Sequence, residues 1–397
     1  MKYLHNIVFI FFLFFTFEKA NANLTLSPQS KVSLITCGSG EDLYALFGHT
    51  SLRIQDSTTG MDLVFNYGTF NFSTEGFYVK FVRGKLDYEL SVSSYAAFVE
   101  TYHEEDRTVK QQVLNLNLVQ KQKIFDFLAW NYQPENRTYK YDFFYDNCST
   151  RIRDVLEKGI GYSFYTPTNS SKTTFRKMLD PYIVSMPWIK AGIYLALGKV
   201  TDKIPDTRNK MFLPNELYKC VANAYLRNGK LIEPLVSKSD IIYKEKNAKN
   251  ISVLDVPTYW GYFLVISVLV LSILEYFNKV KLQSFDRIFW ISSSLIGVFI
   301  LFLWFFTDHI STKMNLNLSW ASPFWLLLLF IPKVSKIDLY KQVILVLTMF
   351  SFLSIVAIFV SGQAFHVLWI CFAIVLFIRS LANLFKVYKI SNSSLTE

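Results

Sequence analysis

The chain has 397 residues, of which 51% are apolar, 17% aromatic and 18% charged, and its formal net charge is +10. A charged share below the roughly 25% of ordinary soluble domains argues against a purely cytosolic globular protein. The basic residues form no long cluster and several flank apolar runs, which speaks against nucleic acid as a partner, and Cys37, Cys148, Cys220 and Cys371 lack the spacing of a zinc ribbon or disulfide framework.

In chain order, residues 1–22 read as a secretory signal: Lys2 and His5, the apolar stretch Ile7–Phe17, then Ala20-Asn21-Ala22. An uncleaved anchor helix is the other reading, and either one exports the segment that follows. Residues 23–257 are then an exported domain large enough for one core. From residue 258 onward come apolar runs at 258–277, 288–306, 319–335, 342–361 and 367–386, each long enough to cross a bilayer. They predict an all-α five-helix transmembrane module over 258–397. Lys279, Lys281, Arg287, Lys333, Lys336 and Lys341 lie in loops on one side, against Lys313 alone on the other. That bias sets the exported domain outside and the C-terminus in the cytoplasm, although Lys244, Lys246 and Lys249 run against it.

Within the exported domain, His49–Gln55 alternates with a strand period, Asp56–Gly60 is a turn cluster, and Met61–Tyr67 is a second strand. The resulting hairpin sets His49 opposite Asn66–Tyr67. Residues 119–131 predict an amphipathic helix with Ile124, Phe125, Leu128 and Ala129 on its apolar face. Ile152, Val155 and Leu156 mark a second helix that Lys158-Gly159 ends, and Asn147, Ser149 or Thr150 supplies its cap. Cys148 therefore falls at a helix N-terminus, where unpaired N–H groups favour a thiolate; a buried structural cysteine is the alternative. Residues 182–198, broken by Pro187 and Gly192, are too interrupted to span; they lie in the interface, roof a functional site, or form an ordinary buried helix pair.

A cysteine nucleophile requires a base. His5 lies in the signal, and His309 and His366 lie at the edges of membrane runs, which leaves His49 and His103. His103 sits in the charged stretch Tyr-His-Glu-Glu-Asp-Arg, which reads as solvated, whereas His49 starts a strand after Phe47-Gly48. A cysteine at a helix N-terminus facing a strand histidine is the papain-like pairing, here with the histidine first in the chain. Arg53 and Arg151 are candidates for a phosphate or for structural ion pairs. Asp308 and His309 face the same side as Cys148, toward a lipid head group, the substrate or water. A Cys37–Cys220 bridge would leave Cys148 free.

The motifs Phe-Gly-His49-x-Ser-x-Arg53, Phe65-Asn-Tyr-Gly68, Tyr139-x-Tyr-Asp-Phe-Phe-x-Asp-Asn147-Cys148-Ser-Thr-Arg-x-Arg-Asp154 and Met211-Phe-Leu-Pro214 resemble the Lnb N-terminal periplasmic domain family. Asp308-His309, with Asn315 and Asn317, resembles its membrane region; Cys37-Gly38 departs from the family's Pro-Gly. The resemblance implies an α+β permuted papain-like fold, related to NlpC/P60 and lecithin–retinol acyltransferase. It implies Cys148 as nucleophile, His49 as base and Asn66 as third polar member, with Tyr67 and Asn147 joining Arg53, Arg151, Asp308 and His309 as candidate substrate-binding residues. It implies a lipoprotein N-acyltransferase of the bacterial inner membrane, of the kind found in Bacteroides-type bacteria. Such an enzyme moves an acyl chain from a membrane phospholipid, through a Cys148 thioester, to the α-amino group of a diacylglyceryl-cysteine lipoprotein, without cofactor or metal. A membrane-anchored cysteine hydrolase of peptidoglycan or lipid esters, and a non-enzymatic receptor or assembly protein, are the competing readings.

Overall fold

The computed structural model describes residues 24–161, 164–165, 172–228, 231–246, 255–332 and 335–393; the expected signal, 1–22, lies outside them. An antiparallel seven-stranded sheet organises the N-terminal domain. Its first six strands are β1 (Lys31–Cys37), β2 (His49–Asp56), β3 (Met61–Thr69), β4 (Asp87–Ser94), β5 (Val109–Leu114) and β6 (Thr138–Lys140). A small sheet follows, of β7 (Phe164–Tyr165), β8 (Tyr225–Asn228) and β9 (Leu231–Pro234), and then β10 (Val236–Tyr243) completes the large one. The order across it is β10-β5-β1-β2-β3-β4-β6. Helices α1 (Phe77–Val82), α2 (Tyr95–Glu104), α3 (Leu118–Tyr132) and α4 (Cys148–Ile160) fall between its strands. Then come α5 (Phe175–Ile183), α6 (Pro187–Ala196), α7 (Thr207–Lys210) and α8 (Pro214–Ala222).

β2 and β3 form the expected hairpin, closed by the Asp56–Met61 pair. The Leu52–Phe65 pairing, continued, sets His49 opposite Gly68, just beyond the expected Asn66–Tyr67 stretch. The strand period sends Leu52, Ile54, Phe65 and Tyr67 to one face, where they share a core with Ile124 and Leu128 of α3 and Ile152 and Leu156 of α4. Each such side chain contributes about 1.5–3 kcal/mol by leaving water. The opposite face, with Ile35, Cys37, Val64 and Val109, packs under Phe98 and Tyr102 of α2. Gly159, expected to end α4, instead lets α3 approach: a Cβ there would come within 2.1 Å of the Ile124 side chain, and the helix stops at Gly161.

Among the described residues, four helices are long and apolar enough to cross a membrane: α9 (Val256–Tyr276), α10 (Gln283–Phe305), α12 (Ile337–Val360) and α13, apolar over Val367–Lys389. The third expected span departs from prediction. It breaks into 3₁₀ turns at Leu316–Ser319 and Pro323–Leu326 followed by the short helix α11 (Leu327–Phe330). Pro323 brings no N–H to extend a helix, and the Ser322 side chain caps the new turn by accepting from Phe324 N–H. Irregular backbone survives at this depth because protein surrounds it. Trp320, Ala321 and Trp325 are fully buried. The Trp320 and Trp325 indoles donate to Asn317 Oδ1 and Trp320 O, both at 3.0 Å.

The region 182–198 is the coupler between the two halves. The Asn315 and Asn317 side-chain amides donate to the carbonyls of Tyr194, Leu195 and Ala196, capping the C-terminal end of α6. Trp369 Nε1 donates to Ala191 O at 2.8 Å. At the far end of the bundle, Arg379 Nε and Nη2 bind the Asp286 carboxylate at 2.6 and 2.9 Å, and Nη2 also meets Glu275 Oε2 at 2.8 Å. Arg379→Ala leaves two buried carboxylates without their guanidinium, so stability should fall by about 3–5 kcal/mol. Thermal unfolding of the detergent-solubilised protein measures this, and an unchanged midpoint would contradict it.

Candidate active site

Cys148 is the first residue of α4 because Asn147 caps the helix. Asn147 Oδ1 accepts from Thr150 N–H at 2.9 Å, and Thr150 Oγ1 accepts from Asn147 N–H at 2.7 Å. Asn147 Nδ2 donates to Phe143 O at 2.7 Å and Phe212 O at 2.9 Å, which ties the cap to both flanking loops. Two glycines clear the approach. Gly48 has φ +80°, and a Cβ there would meet Cys37 O at 2.7 Å; Gly68 has φ +89°, and its Cβ position lies 3.6 Å from Cys148 Cβ. The start of β2, the end of β3 and the start of α4 thereby converge on one point.

His49 Nε2 is hydrogen-bonded to Asn66 Oδ1, an acceptor that also takes the Ser51 hydroxyl at 3.2 Å. A carbonyl oxygen fixes Nε2 as donor, which leaves Nδ1 for the sulfur. The Cys148 thiol is hydrogen-bonded to the His49 ring and to the backbone N–H groups of Thr50 and Ser149. Burial pushes the Cys148 thiol up, but the His49 charge, the His49 hydrogen bond and those two amides outweigh it and hold the thiol below its ordinary range. Burial pushes His49 down, and the Cys148 thiolate, its hydrogen bond and Asn66 reverse this and raise it. Both directions favour a thiolate–imidazolium pair.

The pair opens into a cavity of about 520 Å³. Its walls carry Phe47, Phe70, Phe72, Leu86, Tyr88 and Tyr141, and it reaches His309 at the start of the loop after α10. His309 Nε2 lies 3.1 Å from Val82 O, and Asp308 N–H donates to Arg83 O at 2.9 Å, so the membrane region grips the end of α1. On α1, Tyr78 and Val79 are 78% and 63% exposed, and Phe72 is 65% exposed beside them. An apolar lip this exposed, next to membrane-crossing helices, suits contact with lipid.

The cavity gathers His49, Asn66, Asn147, Cys148 and His309. Asp308 reaches it through its neighbour's contacts and is itself solvent-exposed. Arg53, Tyr67 and Arg151, expected at the substrate, stand elsewhere. Arg53 is bidentate to Asp62 at 2.7 Å, bonded to Gln111 and stacked on Tyr95. Arg151 is bidentate to Asp146 and stacked on Tyr139, and the Tyr67 hydroxyl donates to Asn131 Oδ1 from within the core. Carboxylates close in space, invisible in a linear sequence, claimed both guanidinium groups. His103 packs on Tyr243 outside the cavity. Helix α6 contributes nothing to the cavity wall among the described residues, so it does not roof the site. Cys37 and Cys220 are free thiols, and burial pushes both up. Sequence reasoning missed Tyr102, whose ring stacks on His49 at 6.5 Å, and Arg107 beside it, because both flank a charged run that reads as solvated. Among the described residues no group of three or more His, Cys, Asp or Glu side chains suits a metal.

Residues 17–180 match the Lnb N-terminal periplasmic domain, and residues 248–391 match the Lnb transmembrane domain. No curated protein and no solved structure matches the chain. The two matched regions and the four apolar helices make this a membrane protein with a periplasmic domain.

Alkylation of Cys148 by iodoacetamide follows its thiolate fraction. With the thiol held low, labelling should persist below the ordinary thiol range and disappear as pH falls through the lowered value. In His49→Ala the midpoint should rise, because the imidazole's charge and hydrogen bond no longer favour the thiolate. Site-resolved mass spectrometry reads this, and a midpoint indifferent to His49 would break the pairing.

Proposed function

The chain belongs to the Lnb family, and we propose that it is a lipoprotein N-acyltransferase of the bacterial inner membrane with a Cys148–His49–Asn66 centre. The observation that carries this reading is the continuity of the thiolate with an apolar cavity whose outer lip lies beside the membrane-crossing helices. Both substrates of such a reaction live in the bilayer. The domain architecture fits it: an exported catalytic domain over 23–257, joined to a membrane module from 258 that closes one side of the site through His309. The histidine strand precedes the cysteine helix, as in a permuted papain-like fold.

In the first half-reaction the Cys148 thiolate attacks an ester carbonyl of a phospholipid, forming a C–S bond and a tetrahedral oxyanion. The N–H groups of Ser149 and Thr50, which bond the resting sulfur, are available to stabilise the negative charge that grows on the oxygen. Collapse breaks the C–O bond; the imidazolium of His49 protonates the departing alkoxide, which leaves as a lysophospholipid. In the second half-reaction the α-amino group of a diacylglyceryl-cysteine attacks the thioester carbonyl. His49, now neutral, accepts the amine proton, and the C–S bond breaks to restore the thiolate. Asn66 holds Nε2 throughout, so the ring presents the same nitrogen to sulfur, alkoxide and amine. The aromatic walls protect the thioester, since water reaching it would turn transfer into lipid hydrolysis.

In cells carrying Cys148→Ala, mass spectrometry of lipoprotein N-termini should find the α-amine free. His49→Ala should slow transfer by about 10²–10⁴-fold. Normal N-acylation with altered muropeptides in the Cys148→Ala strain would assign the site to a cell-wall hydrolase instead.

A further inference from the structure

Among the described residues, Arg107 is the only Lys or Arg lining the catalytic cavity. Its side chain is buried, with Nε donating to Gly38 O at 3.0 Å and Nη1 to Glu105 Oε2 at 2.6 Å. Nη2 is buried as well and has no hydrogen-bond partner. Native structures seldom leave a buried guanidinium N–H without an acceptor, because the lost charge-assisted bond has no return from water. Arg53 and Arg151 are each held bidentate by a carboxylate, whereas Glu105 takes a single nitrogen of Arg107.

The position of Arg107 relative to the sulfur narrows the missing acceptor. The Tyr102 ring stacks on the His49 imidazole, with centroids 6.5 Å apart and planes 14° apart, and the Arg107 guanidinium lies 4.6 Å from the same ring. One aromatic side chain thus separates the cation from the base. In a glycerophospholipid, a short glycerol segment separates the phosphate from the reacting ester. Glu105 lines the same wall, and its carboxylate is 45% exposed, so a negative group stands next to the cation.

We propose that Arg107 is the phosphate anchor of the acyl donor: on lipid entry its guanidinium shifts so that Nη2, buried in the lipid-free chain, donates to a non-bridging oxygen of the phosphodiester while Glu105 faces a cationic head-group substituent. This rests on the phospholipid donor of the preceding reading and specifies its class: a zwitterionic phospholipid is preferred to an anionic or a neutral lipid. Guanidinium geometry suits a phosphodiester, since two N–H groups can meet two oxygens, whereas an ammonium meets them as a point charge.

Binding to the full-length chain in detergent, with Cys148→Ala to prevent turnover, tests this without requiring acyl transfer. The probes are dihexanoylphosphatidylethanolamine, dihexanoylphosphatidylglycerol and dihexanoylglycerol, titrated below micelle formation. Arg107→Gln should weaken both phospholipids by about tenfold to a hundredfold and leave dihexanoylglycerol unchanged. Arg107→Lys should recover part of the loss, and Glu105→Gln should weaken the ethanolamine lipid alone. Equal weakening of all three lipids by Arg107→Gln would reduce Arg107 to a structural residue, and no weakening of either phospholipid would overturn the proposal outright. If the native chain fails to acylate Cys148 while the phospholipid contrast persists, the transfer reaction is lost and the anchor stands.

Discussion

The meeting of the Cys148 thiol and the His49 imidazole at the floor of the cavity is the constraint around which the N-terminal domain is arranged. Either group charged alone would be costly in that position, and the pair is tolerable only with its full set of neighbours. The amides of Thr50 and Ser149 serve the sulfur, and Asn66 serves the ring. Each comes from a different element, so strand register, helix start and loop conformation must agree at one point. The glycines at 48 and 68 and the doubly anchored Asn147 cap are the local solutions that permit this convergence.

Much of this was legible from residue order. The two-residue period and turn cluster foretold the hairpin, and the i, i+3, i+4 pattern after Cys148 foretold α4. Elimination among five histidines pointed to His49. What stayed hidden depends on groups that meet only in three dimensions. Arg53 and Arg151 read either as phosphate ligands or as members of structural ion pairs, and only the fold names Asp62 and Asp146 as their partners. Arg107 looked solvated because its neighbours are charged, yet its side chain turns inward under Tyr102. The apolar run after Asn317 had the length and composition of a span. Hydropathy does not register that Ser322 and Pro323 restart the helix within it.

The junction between the two halves is polar and specific. A helix end carries carbonyls that need donors, and α6 obtains them from Asn315 and Asn317 of the membrane region. Arg176 contributes from α5, bonding Leu197 and Gly198 carbonyls while paired to Asp202. These bonds have strict direction, unlike apolar contact, so they set orientation as well as attachment.

Together with the grip of Asp308 and His309 on the end of α1, this fixed seating turns the chain into a depth gauge. These bonds set where the sulfur stands relative to the membrane-crossing helices. On the proposed reading, a lipid would have to rise to the protein rather than the protein descend to the lipid. Which molecules react would then depend on how far each can rise while its tails stay in the leaflet, a mechanical filter that would operate before any chemistry begins.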